Sequence, residues 1–236
     1  SPSGGGAVMI NRNNQQNNNS RNDPSENVQN EPDNPSDNIE DSDYSASYGP
    51  SPFSDIGNHW ARSYIENLYS KGILSGTKDS LFEPNRNMTR AELTKVALMA
   101  IGIDIFDPMQ ISQNPFKDVS KDMWYAAYIK TAADLGVISG YANNSFKPNQ
   151  PISRVEALRV LILTALKSDV AVVSEKAADF KDVVKGEWYE KYVNYAYEHG
   201  LVSGYDDGTF RPNSYVTRAE LARITTALME LVKSWK

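Results

Sequence analysis

WYEKYVNYAYEHGLVSGYDDGTFRPNSYVTRAE, residues 188–220, is the third copy of a unit written along the chain at a step of 64 residues. Trp60, Trp124 and Trp188 share that step, as do Gly72, Gly136 and Gly200, and Gly76, Gly140 and Gly204. Phe82, Phe146 and Phe210 follow it, then Pro84, Pro148 and Pro212. It closes on Arg90, Arg154 and Arg218, each followed two residues later by Glu92, Glu156 or Glu220. A period kept from Trp to Glu in three copies marks one structural unit used three times. A functional residue is then expected in triplicate, which favours a three-fold binding module over a one-copy active site.

Each unit opens on a short apolar-acidic element, Phe53-Ser54-Asp55, Phe116-Lys117-Asp118 or Phe180-Lys181-Asp182. After the Trp, apolar residues recur at steps of three to five (Trp124, Tyr128, Ile129, Ala132, Ala133), the pattern of one apolar helix face. The three Trp lie on that face and are read as core in preference to sugar platforms. Gly72, Gly136 and Gly200 stand where these helices should stop, as left-handed cap residues. A connector ending in Ser-Gly leads to a polar turn and then to Phe-x-Pro-Asn, whose proline marks extended chain. The second helix starts at a capping box: Thr89-Arg90-Ala91-Glu92, Ser153-Arg154-Val155-Glu156 or Thr217-Arg218-Ala219-Glu220. Leu93, Val96, Ala97 and Ala100, with Leu158, Leu161, Ile162, Leu221, Ile224 and Leu228, give the apolar faces of these second helices.

Composition divides at Phe53. Residues 1–52 are rich in Asn, Ser, Pro, Asp and Glu and cannot bury enough apolar surface to offset their ordering entropy, so they read as a disordered linker. The segment carries two basic residues, Arg12 and Arg21, against eight acidic ones, which accounts for the whole net charge of −6. Residues 53–236 balance at 22 of each sign. A neutral domain without a basic stripe argues against a nucleic-acid partner. No run of about 18 apolar residues is present, so no membrane insertion is expected. With no cysteine there is no disulfide framework and no thiolate metal site. The opening residues carry no signal-peptide pattern, and the chain reads as a fragment of something longer.

One choice in the unit runs against local electrostatics. Arg at the first position of the second helix faces the positive end of the helix macrodipole, where Asp or Glu is favoured by about 0.3–1 kcal/mol. Three copies of that choice ask for a compensating gain. Free amides at a helix N-terminus form an anion site, and a guanidinium adds a planar fork matched to carboxylate or phosphate. The alternative is internal: Asp55, Asp118 and Asp182 holding Arg90, Arg154 and Arg218 and locking neighbouring repeats. Both readings stay open, as do ligand contact and simple turn geometry for Ser75-Gly76, Ser139-Gly140 and Ser203-Gly204. Asp206-Asp207-Gly208 lacks the spacing of a calcium loop, and His59 and His199 lack metal-ligand spacing. No nucleophile elbow, phosphate loop or catalytic carboxylate pair stands out, so no catalytic residue, cofactor or metal is assigned.

Taken together, Phe-x-Asp, the Trp-led helix, Gly-x-x-x-Gly, Phe-x-Pro-Asn and the Thr-Arg-Ala-Glu box resemble the S-layer homology domain in three tandem copies. The copies would span 53–115, 116–179 and 180–236, with 1–52 as linker. The resemblance implies an all-α, pseudo-threefold assembly of helix–loop–helix repeats around a central three-helix bundle, with grooves between adjacent repeats. It further implies an extracellular module that holds a bacterial surface protein to a secondary cell-wall polymer, and through it to peptidoglycan. The unit recognised in such proteins is a ketal-pyruvylated N-acetylmannosamine. By that resemblance Arg90, Arg154 and Arg218 bind the pyruvyl carboxylate, and Asp55, Asp118 and Asp182 bind sugar hydroxyls or orient the Arg. Ser75, Gly76, Ser139, Gly140, Ser203 and Gly204 line the groove. A monomer without enzyme activity is expected.

Repeat 1 departs most, with Thr77 in place of Tyr141 and Tyr205, and Glu83 in place of Lys147 and Arg211. Arg154→Ala is expected to weaken polymer binding without unfolding the domain. A protein-interaction scaffold is the competing reading, in which loss of these Arg costs stability instead of sugar affinity. An enzyme acting on wall glycan is the third, disfavoured by the repetition.

Overall fold

The computed structural model describes residues 51–167 and 171–235. The linker expectation for 1–50 lies outside the described residues. Among the described residues six α-helices alternate short and long: α1 (Arg62–Ser70), α2 (Arg90–Ile101), α3 (Ala126–Asp134), α4 (Arg154–Leu166), α5 (Glu190–Glu198) and α6 (Arg218–Lys233), with a 3-10 turn at Pro108–Gln110. There is no β-strand among the described residues, only isolated bridges. The all-α expectation holds.

Each long helix begins at the box read from the sequence. Thr89, Ser153 and Thr217 accept the amides of Glu92, Glu156 and Glu220, and each Glu carboxylate takes the amide of its cap residue in return. The short helices end as the glycines require. Gly72, Gly136 and Gly200 have φ of 70°, 71° and 69°. Their amides and those of the next residue reach back to the last turn, as in Gly72 to the Tyr69 carbonyl and Ile73 to the Leu68 carbonyl.

The long helices α2, α4 and α6 pack on one another as a central three-helix bundle. Leu93, Val96, Ala97, Leu158, Leu161, Ile162, Leu221, Ile224 and Leu228 are buried there, each Val, Leu or Ile side chain contributing about 1.5–3 kcal/mol of burial. The short helices take the outside in a cyclic order. α3 packs on α2, α5 on α4 and α1 on α6, so each short helix covers the long helix of the preceding repeat. The last repeat closes on the first. A ring of backbone hydrogen bonds seals the three-fold: the Met88 amide donates to the Val216 carbonyl, Val216 to Ile152, and Ile152 to Met88, at 2.9, 3.1 and 3.0 Å.

One expectation fails. Trp124 and Trp188 are half-exposed and Trp60 is only partly buried. Each helix starts two residues after its Trp, and the residue between them (Ala61, Tyr125 or Tyr189) takes the buried place. The indoles are left on the rim.

Candidate functional site

The Asp of each opening element is fully engaged in building its own repeat. Asp118 accepts the amides of Phe146 and Lys147 on its two oxygens at 2.7 and 2.8 Å. Asp182 does the same for Phe210 and Arg211, and Asp55 for Phe82 and Glu83. The second residue of each pair has a left-handed backbone: φ is 60° at Glu83, 56° at Lys147 and 59° at Arg211. Non-glycine residues reach that region only under constraint, and the carboxylate supplies it.

Gly76, Gly140 and Gly204 answer to the same opening element. A Cβ on Gly140 would stand 2.4 Å from the Phe116 ring and 2.7 Å from the Ser145 carbonyl oxygen. Phe53 and Phe180 crowd Gly76 and Gly204 in the same way. The close approach at these glycines is made by the chain's own aromatic ring.

The Arg of each box points into the next repeat. Arg90 Nε donates to the Phe146 carbonyl at 2.8 Å, and Nη2 to the Ser139 carbonyl at 3.1 Å. Arg154 Nε donates to Phe210 O at 3.1 Å. Arg218 closes the cycle with Phe82 O at 2.8 Å and Ser75 O at 2.7 Å. The guanidiniums also lie over the rings of Phe146, Phe210 and Phe82. Neighbour-locking is therefore real, but the acidic partners are Glu156, Glu220 and Glu92 instead of the Asp residues.

The helix amides that would have made an anion site are taken as well. Arg90 N and Ala91 N donate to the carbonyls of Gln150 and Pro148. Arg154 and Val155 use those of Ser214 and Pro212, and Arg218 and Ala219 those of Arg86 and Pro84. The gain that offsets an Arg against the helix dipole is a repeat-to-repeat clamp.

The three clamps differ in how far they close. Arg154 is 0% exposed and meets Glu220 at 2.9 Å, with Glu220 itself 4% exposed and also accepting from the Tyr205 hydroxyl at 2.7 Å. Arg218 is 4% exposed, but Arg86 takes the same Glu92 at 2.7 Å and Glu83 at 3.1 Å. Burial is the main influence bringing the Arg218 guanidinium down to about 10, against the raising effect of Glu92. Burial works to raise Glu92, yet the hydrogen bond and charge of Arg86, with the Thr89 amide, hold it below its usual range.

Between repeats 1 and 2 the clamp stays open. Arg90 is 9% exposed, and Glu156, its side chain 39% exposed, stands 3.8 Å away. The Ser153 hydroxyl holds Glu156 back at 2.8 Å. A cavity of about 210 Å³ opens here, lined among others by Arg90, Thr94, Ser139, Glu156, Arg159 and Trp188. A second, more open hollow of about 510 Å³ is lined by Arg159 and Trp188 together with Glu187, Lys191 and Tyr192.

Thus Arg90 and Ser139 line the cavity, and the carboxylates of Asp55, Asp118 and Asp182 are committed to backbone amides. The sequence reading left out Arg159 and placed Trp188 in the core. A signal for the first existed: Lys95, Arg159 and Arg223 keep the 64-residue step. Among the described residues no helix is long and apolar enough to cross a membrane, and no group of three or more His, Cys, Asp or Glu is placed to hold a metal ion. Asp207 accepts from the Thr209 hydroxyl and, next in weight, from Arg211, and these hydrogen bonds lower it to about 2.

The family model described as "S-layer homology domain" matches residues 52–94, 115–158 and 179–222, more than half of the chain. Among curated proteins, Cell surface glycoprotein 1 of Acetivibrio thermocellus is 34% identical over 68% of this chain. An S-layer protein of Bacillus thuringiensis subsp. finitimus is 31% identical over 72%, and the Cellulosome-anchoring protein of Acetivibrio thermocellus 30% over 67%. The matched part spans 7%, 20% and 35% of those three proteins.

Proposed function

The chain belongs to the S-layer homology family, and we propose that it holds its parent protein to peptidoglycan by binding a secondary wall polymer, with a ketal-pyruvylated N-acetylmannosamine as the unit recognised. Anchoring at the bacterial cell surface is the coarse role, carried by the family and by relatives named as surface, S-layer and cellulosome-anchoring proteins. The finer reading rests on one observation. Of the three clamps, the one between repeats 1 and 2 opens into a cavity lined by two guanidiniums, Arg90 and Arg159, with a hydroxyl and an indole beside them.

Such a lining suits an anionic sugar. A carboxylate finds planar cationic forks, and a ring face finds an aromatic partner. Arg154, closed against Glu220, and Arg218, sharing Glu92 with Arg86, offer less to a ligand, so one occupied groove per chain is the proposal.

The test is co-sedimentation of the chain with purified sacculi before and after acid extraction of the secondary polymer. Binding that disappears with the polymer supports the proposal. Binding that survives extraction points to peptidoglycan itself, and no binding to either puts the protein-scaffold reading first.

A further inference from the structure

Arg159 stands apart from the other cations near the clamps. It projects from the second turn of α4, is partly buried, and lines both the 210 Å³ cavity and the open hollow beside it. Among the described residues it has no hydrogen-bond or ion-pair partner. Its counterpart in repeat 3, Arg223, is buried and donates to the Leu201 carbonyl at 3.3 Å. Arg90, across the cavity, already spends Nε and Nη2 on two carbonyls and stands within 3.8 Å of Glu156. Beside Arg159, on the wall shared by both hollows, is the half-exposed indole of Trp188 from repeat 3.

A guanidinium without a partner, set in a partly desolvated wall, has its donor fork available to a ligand oxyanion. An indole with an open face takes the apolar side of a sugar ring. Resting on the wall-polymer reading above, we infer that Arg159 and Trp188 are the recognition pair of this groove. Arg159 makes the direct contact with the polymer carboxylate, and Trp188 packs against the adjoining sugar, so the site extends over repeats 2 and 3. Arg90 acts behind them as the clamp.

The experiment compares affinity for isolated polymer with and without its ketal carboxylates, for wild type, Arg159→Gln, Trp188→Ala and the controls Lys95→Gln and Trp124→Ala. Removing the carboxylate should weaken wild type by at least about tenfold, and Arg159→Gln should lose the same factor on intact polymer. Arg159→Gln should then be indifferent to the treatment. Trp188→Ala should lose severalfold on both polymers, while the controls stay within about twofold of wild type, and melting temperatures should be unchanged throughout. An Arg159→Gln variant that still discriminates the two polymers as wild type does would overturn the inference, since the carboxylate would be read elsewhere. So would a melting temperature that falls together with affinity, which would make Arg159 a structural residue. Wild type that fails to bind intact polymer would instead remove the anchoring proposal itself, and the inference with it.

Discussion

Arg90 and Arg154 hold the same place in successive repeats, and each donates its Nε to the carbonyl of the next repeat's Phe. They part at the carboxylate. Glu220 is pulled onto Arg154 at 2.9 Å with help from the Tyr205 hydroxyl, whereas the Ser153 hydroxyl keeps Glu156 at 3.8 Å from Arg90. One clamp is sealed and the other gapes. A motif repeated three times thus yields a three-fold framework with unequal clamps, and local hydrogen-bond partners set how far each one closes.

The largest expected effect comes from breaking the sealed clamp. Arg154→Ala leaves Glu220 buried without its ion-pair partner and should cost about 3–5 kcal/mol in urea unfolding. Arg154→Met with Glu220→Leu should recover only part of that loss, because the apolar pair removes the buried charges but leaves the Thr217 amide and the Tyr205 hydroxyl without their acceptor. Arg90→Ala, beside a half-open Glu156, should cost only about 1–2 kcal/mol. This asymmetry corrects the expectation that Arg154→Ala spares the fold. Loss of stability on removing Arg154 therefore does not separate the anchor from a protein scaffold, and the polymer-binding test has to use residues outside the sealed clamp.

Next in size is the Asp that builds each loop. Asp118→Ala removes the acceptor of two amides and releases the left-handed backbone at Lys147, a loss of about 2–3 kcal/mol by thermal or urea unfolding. Gly140→Ala should cost about 1–3 kcal/mol, because a Cβ meets the Phe116 ring and a backbone oxygen inside contact distance.

A smaller effect tests the third clamp through pH. Glu92 titrates below its usual value in the folded chain, so its contribution is present above the unfolded pKa near 4.5 and is lost as pH falls through the folded one. Melting temperatures between pH 6 and 3 should fall more steeply for wild type than for Glu92→Gln. The smallest effect is at the rim, where Trp188→Ala should change stability by no more than about 0.5 kcal/mol.

Much of this architecture is legible in the sequence because it is locally encoded. Capping boxes and left-handed glycines each act within a few residues and fall where expected. Pro84, Pro148 and Pro212, expected in extended chain, instead stand second in tight turns closed by the Arg86, Gln150 and Ser214 amides donating to the carbonyls of Glu83, Lys147 and Arg211. The partners of the Arg side chains are not local: Phe146 lies 56 residues beyond Arg90, and Phe82 lies 136 residues before Arg218. No pattern along the chain announces that carbonyls of one repeat cap the helix of another. Helical periodicity also places Trp188 one residue out of register with Tyr189, the residue that is buried. The triplicate cation at Lys95, Arg159 and Arg223 is visible as a pattern, but only the fold separates the open Arg159 from the buried Arg223.

The measurement that bears most directly on the central claim is calorimetric titration of the chain with a polymer fragment carrying a single pyruvylated repeating unit. The unequal clamps lead to one fragment bound per chain, at the groove between repeats 1 and 2. Three fragments bound with equal affinity would contradict the account, because sealed and open clamps would then be functionally alike.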